Sequence, residues 1–128
     1  MTKPKTYRLG DLQLRIMKVL WERGDASVAH VHDALGGNTT FAYTTIATML
    51  RKMEGRGLVA HHEEGRSFIY RAKVGKSAVS RSMADEFVDR LFAGSLTNAV
   101  NHLLSTREVS REELRDIEAL IARQRKKI

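Results

Sequence analysis

The side chains best suited to recognition chemistry lie in one stretch, Ala42-Tyr43-Thr44-Thr45-Ile46-Ala47-Thr48-Met49-Leu50-Arg51-Lys52-Met53. Thr44, Thr45, Thr48, Arg51 and Lys52 supply short hydroxyls and cations, and no carboxylate follows until Glu54. Hydroxyls donate to base edges or phosphate oxygens, a threonine methyl fits against thymine, and arginine holds phosphate or guanine. Ile46, Met49, Leu50 and Met53 recur at i, i+3, i+4 and i+7. That spacing predicts a helix with one apolar stripe and the hydroxyls and cations on the other side. Threonine is a mediocre helix former, so propensity does not explain three on one face. A surface that meets DNA explains them. On this stretch alone, so does the solvated face of an ordinary core helix.

Other candidate chemistry is weaker. His30 and His32 are two apart in a helical segment, which turns them about 200° from each other. His61 and His62 are adjacent in a strand-like run and so point to opposite faces. Neither pair has ligand geometry, and all four read as exposed histidines. Of the carboxylate pairs, Glu112-Glu113 suits a helix start and Glu63-Glu64 a turn. There is no phosphate loop, nucleophile elbow or His-Glu-x-x-His. The chain has no cysteine, which rules out disulfides, thiolate metal sites and a cysteine nucleophile. The expectation is a chain that is not an enzyme and needs no cofactor or metal.

The elements that position the stretch follow from hydrophobic spacing. Residues 1–8, basic and containing the single Pro4, read as a flexible arm. Leu9 to Arg23 reads as a first helix on Leu9, Leu12, Ile16, Val19 and Leu20, with Asp11 as an N-terminal charge or cap and Trp21 as a core residue. Ser27 is placed to cap a short second helix, Val28 to Leu35, which Gly36-Gly37-Asn38 breaks. Thr40 is a possible cap for the third helix, the opening stretch. After Gly55-Arg56-Gly57, the runs Leu58–His62 and Ser67–Arg71 flank a Gly65-containing turn and predict a β-hairpin with Arg66 at its tip. Helix, helix, turn, helix and hairpin is the order of a winged helix-turn-helix. Arg66 then sits where a wing touches phosphate or the minor groove.

From Lys76 onward the pattern is helical. A long helix covers about residues 76–93, Gly94 breaks it, Ser95 caps a short helix, and Ser110 with Glu113 forms a capping box for the last one. The apolar positions Phe87, Leu91, Phe92, Leu96, Val100, Leu103, Leu104, Leu114, Ile117, Leu120 and Ile121 need cover. Some fifty residues of short helices rarely hold a core alone. Packing on the winged helix is one way to cover them and a second copy of the segment is another, and a two-fold dimer also presents two recognition helices to a palindrome. The expected fold is mostly α with a small hairpin. Its parts are an arm (1–8), a winged-helix DNA-binding domain (9–74) and a helical dimerisation domain (75–128).

The totals fit this reading. The 128 residues are 42% hydrophobic and 29% charged, with formal net charge +7, as suits a globular chain with an anionic partner. Residues 1–75 hold 12 Lys+Arg against 7 Asp+Glu, and residues 76–128 hold 10 against 8. The basic excess therefore lies in the half with the recognition stretch. No apolar run approaches a membrane span, and no h-region follows the basic N-terminus, so a cytoplasmic location is expected.

The chain also resembles the penicillinase-repressor group of bacterial regulators, the BlaI/MecI/CopY type. The similarity runs through Leu9-Gly10-Asp11-Leu12 with Ile16-Met17 and Leu20-Trp21, and through Ala42-Tyr43-Thr44-Thr45-Ile46 with Thr48 and Gly57-Leu58. It continues in Gly65-Arg66 with Tyr70, Phe92-Ala93-Gly94-Ser95, and Val109-Ser110 with Glu112-Glu113-Leu114. The resemblance implies a homodimeric winged-helix repressor of palindromic operators, often with TACA/TGTA half-sites, dimerised through its C-terminal helices. In antibiotic-responsive members a membrane-bound sensor protease pathway leads to cleavage in the dimerisation segment. The matching position here is Val100-Asn101-His102-Leu103. Those members carry Asn-Phe at the scissile bond, whereas His102-Leu103 falls there and the asparagine, Asn101, stands one place earlier. Copper-responsive members carry a cysteine cluster that this chain lacks.

Base contacts are thus expected of Tyr43, Thr45 and Thr48, and phosphate contacts of Thr44, Arg51, Lys52 and Arg66. The alternatives are a winged helix that binds protein and a repressor that senses metal through histidines.

Overall fold

The computed structural model describes residues 6–128. Among them are six α-helices, α1 (Asp11–Arg23), α2 (Val28–Ala34), α3 (Tyr43–Gly55), α4 (Lys76–Phe92), α5 (Leu96–Thr106) and α6 (Arg111–Lys126), and three strands, β1 (Ala26–Ser27), β2 (Val59–Glu64) and β3 (Ser67–Ala72). The described chain falls into two compact units, one ending at Ala84 and one running from Asp85 to Ile128.

In the first unit, the apolar stripes foreseen for the helices converge. Ile16, Met17 and Leu20 of α1, Val31 of α2, and Ile46, Leu50 and Met53 of α3 are buried, and Leu58, Val59 and Tyr70 close the core from the hairpin side. Each side chain of this size removed from water stabilises the fold by roughly 1.5–3 kcal/mol. Met49, on the edge of the α3 stripe, is only half-buried. Trp21 packs against the core, as expected, and its indole N–H donates to the Val74 carbonyl at 2.9 Å. That bond ties the exit of the hairpin to α1.

The helix ends show where sequence reading was coarse. α1 starts at Asp11 after Gly10, two residues later than expected, and Gln13 Oε1 accepts the Gly10 N–H at 3.1 Å. Asp11 is a first-turn acid and not the cap. Ser27 caps α2 as expected, its Oγ accepting the His30 N–H at 3.1 Å. The N-cap of α3 is Ala42, not Thr40, and no side chain caps it. Thr40 instead ends a short 3₁₀ helix over Gly37–Thr39.

The sheet has three strands where a hairpin was expected. Its order is β1-β3-β2, all antiparallel. β1 is two residues long, with Ala26 opposite Tyr70 and Ser27 opposite Ile69. So short a strand carries no alternation in sequence. Glu64 pairs with Ser67, leaving Gly65-Arg66 as a two-residue turn. Gly65 has φ +61°, whereas Arg66 keeps a negative φ. Glycine at the first central position is what a II′ hairpin turn requires.

The arm expected over residues 1–8 lies, for residues 1–5, outside the described residues. Its described end is held. Tyr7 packs against the core and its N–H donates to Ser82 Oγ at 2.8 Å, and the Arg8 carbonyl accepts from Arg56 at 2.8 Å. The division between units also falls ten residues beyond the expected 74/75 boundary. The opening turns of α4 belong to the first unit, with Val79 buried there.

In the second unit, Ser95 Oγ accepts the Asn98 N–H and Ser110 Oγ the Glu113 N–H, so both serines cap as expected. Ala93 and Gly94, both with positive φ, end α4.

Candidate nucleic-acid interface

α3 carries the candidate site, and its two sides differ sharply. Ile46, Leu50 and Met53 are fully buried, which fixes the rotation of the helix on the core. Tyr43, Thr44, Thr45, Thr48, Arg51 and Lys52 are all exposed. Thr44, Thr45, Thr48, Met49 and Lys52 line one shallow depression. The three threonines thus share one surface with Met49. Such a surface offers hydroxyl donors beside methyl groups, the mixture that suits base edges.

A second depression, a crevice of about 240 Å³, lies between α3 and the hairpin, lined among others by Ser27, Tyr43, Arg51, Arg66, Phe68 and Tyr70. It brings Arg66, foreseen as a phosphate-contacting wing residue, to the same crevice as Arg51 of α3.

Two residues that hold this arrangement escaped the sequence reading. His32 is one of the four histidines expected to be exposed, yet it is buried, with its Nε2 2.7 Å from the Phe41 carbonyl oxygen. A carbonyl only accepts, so the proton sits on Nε2. The bond fixes the chain just before α3, and the His32 ring packs edge-on against Tyr43 at 5.7 Å. A signal existed: Val28, Val31, His32 and Leu35 form one helical stripe, so His32 stands among apolar residues. The second is Glu54. Its carboxylate accepts from His61 Nδ1 at 2.7 Å and from the His61 N–H at 3.2 Å, tying the end of α3 to β2.

His61 is likewise half-buried instead of exposed, with its ring stacked on Phe68 at 4.2 Å. Phe68 and Tyr70 share a face as expected, but Tyr70 is in the core whereas Phe68 remains 42% exposed near the tip. Burial, then the Glu54 carboxylate, pushes the Tyr70 phenol above 10.0, and the Arg51 guanidinium pulls the other way. His62 faces outward, with Nε2 3.1 Å from Glu64. Among the described residues no three His, Cys, Asp or Glu side chains group as a metal ion requires.

Arg56 braces the other end of α3, donating to Gln13 Oε1 at 3.1 Å and to the Arg8 carbonyl. Arg15 lies 5.5 Å over the Phe41 ring. The recognition side of α3 is therefore held at its start by His32, at its end by Glu54 and Arg56, and along its length by the core.

In the second unit the positions foreseen for dimerisation are mostly uncovered. Phe87, Leu91, Leu96, Val100, Leu103, Leu104, Leu114, Leu120 and Ile121 are exposed, Leu96 at 67% and Leu91 at 66%. Phe92 and Ile117 are half-buried. Phe92 sits between the Phe87 and His102 rings, at 5.6 and 5.5 Å. Asn101, His102 and Leu103 are exposed and helical within α5.

Comparison with known proteins agrees with this architecture. The family model described as "Penicillinase repressor" matches residues 9–123. The penicillinase repressor of Bacillus licheniformis is 29% identical over 113 residues, covering 88% of each chain. The transcriptional regulator BlaI of Mycobacterium tuberculosis is 32% identical over 102 residues, or 78% of this chain and 74% of the relative. A solution structure of the DNA-binding domain of the repressor BlaI superposes with TM-score 0.51 at 32% identity, covering 59% of this chain and 93% of that one. With the match spanning both units, the chain belongs to the penicillinase-repressor family.

Proposed function

We propose that this chain represses transcription by binding a palindromic operator as a homodimer, in the cytoplasm. The observation that carries the proposal is the two-sidedness of α3: one side is locked into the core, and the other presents threonines and cations without a carboxylate. α3 enters the major groove, where Tyr43, Thr45 and Thr48 read base edges. Thr44, Arg51, Lys52 and Arg66 hold phosphates and fix the register. The relatives named as a penicillinase repressor and a transcriptional regulator support this reading.

The second unit supplies the dimer. Its exposed leucines and phenylalanines form stripes that water disfavours and a symmetric copy covers. Release from DNA follows when that contact is lost, through a sensor-protease pathway acting near Asn101, His102 and Leu103. These residues are accessible but helical. A protease must therefore first unwind part of α5.

The test is selection of duplexes from random-sequence DNA by the full chain. An inverted repeat is expected to emerge, bound by two chains. With six or more phosphates contacted, affinity should fall roughly a thousandfold between about 50 and about 200 mM salt. Failure to enrich any sequence would refute the proposal, and a salt-insensitive complex with a protein would replace it.

A further inference from the structure

The crevice between α3 and the hairpin carries an inference of its own, which rests on the DNA-binding reading above. We propose that Arg51 and Arg66 clamp one and the same phosphodiester of the DNA backbone, seated in this crevice between the recognition helix and the wing.

Arg51 and Arg66 both line a single crevice of about 240 Å³, one from α3 and one from the hairpin turn. The nearby carboxylates are engaged elsewhere. Glu54 is held by His61 at 2.7 Å and Glu64 by His62 at 3.1 Å. Among the described residues no carboxylate pairs with Arg51 or Arg66, and Glu63, the remaining acid of the hairpin, pairs with neither. Two cationic side chains that line one crevice without a paired carboxylate repel each other, and an anion between them reverses that energy. A phosphodiester suits them because its two free oxygens accept from both forks at once.

The rest of the lining fits a backbone segment and not a bare ion. The exposed rings of Tyr43 and Phe68 offer apolar faces of the kind a deoxyribose packs on. A crevice of about 240 Å³ has room for one phosphodiester. A shared phosphate demands a constant separation of the two arginines, and the Glu54–His61 pair, which ties α3 to β2, supplies such a brace.

The experiment uses the full chain and a duplex it selects from random-sequence DNA, with each phosphate in turn replaced by a neutral methylphosphonate. Arg51→Ala and Arg66→Ala should each weaken binding to the unmodified duplex about tenfold. At one position per half-site the methylphosphonate should weaken the parent protein about as much, and there neither variant should lose anything further. Arg51→Lys and Arg66→Lys should recover part of the loss, separating lost charge from lost folding. Silencing of the two variants at two different phosphates would overturn the clamp while leaving the repressor reading intact. Competition by inorganic phosphate at constant ionic strength, abolished in both variants, would point to a free anion as occupant and would also overturn it. If no duplex is selected at all, the repressor reading fails and the clamp with it.

Discussion

The two units of this chain use similar apolar residues to opposite ends. In the first, the stripes of α1, α2 and α3 meet one another, and Ile16, Met17, Val31, Ile46, Leu50 and Met53 are fully buried. In the second, among the described residues only Ala99 is buried, while Leu91, Leu96, Leu120 and Ile121 are about half exposed or more. The first unit satisfies itself and leaves a polar face for a ligand. The second is left with an exposed apolar face. On the proposed function, the contrast separates the task of reading DNA from the task of pairing two readers.

Substitutions can break the contrast from either side. The largest effect is expected from Leu120→Asp. A charge forced into a symmetric apolar interface costs about 3–5 kcal/mol, so the dimer should dissociate at concentrations more than a hundredfold higher than the parent's in sedimentation experiments. The unfolding of the first unit should not move. Leu50→Ala, in contrast, should destabilise the first unit by about 2–5 kcal/mol through the cavity it leaves, seen as a lowered Tm with dimerisation retained. Smaller is Glu54→Ala. It removes a partly exposed pair between α3 and β2, at a cost of about 1 kcal/mol, and amide exchange in the hairpin should quicken. The smallest is the alkaline response. The Tyr70 phenol lies above 10.0 in the folded state. Its contribution is therefore complete below pH 10 and lost as pH rises through the folded value. Tyr70→Phe should flatten that decline in a denaturation series above pH 10.

Much of this molecule can be read in its sequence because the helical periods are strong. α3 is legible twice over, from its stripe and from the composition of its other side. The serine caps at Ser27, Ser95 and Ser110 follow from local chemistry and stand as expected. What escaped depends on partners distant in the chain or too brief to show a period. β1 is two residues whose partner is about forty positions away. His32 and Glu54 matter through bonds made across a turn, to Phe41 and His61. The meeting of Arg51 and Arg66 in one crevice depends on where the hairpin folds back, which no local pattern encodes. In the second unit the stripes were plain, but a sequence does not say what lies against them.

In the proposed complex, specificity resides in the threonines of α3, with the cations supplying affinity. That division is tested most directly by the affinities of Thr45→Ala/Thr48→Ala for the selected palindrome and for a scrambled duplex of the same length. The expected result is a palindrome affinity that falls by about 1–3 kcal/mol per lost base contact towards an unchanged scrambled value. A parallel fall on both duplexes, or no change on either, would contradict it.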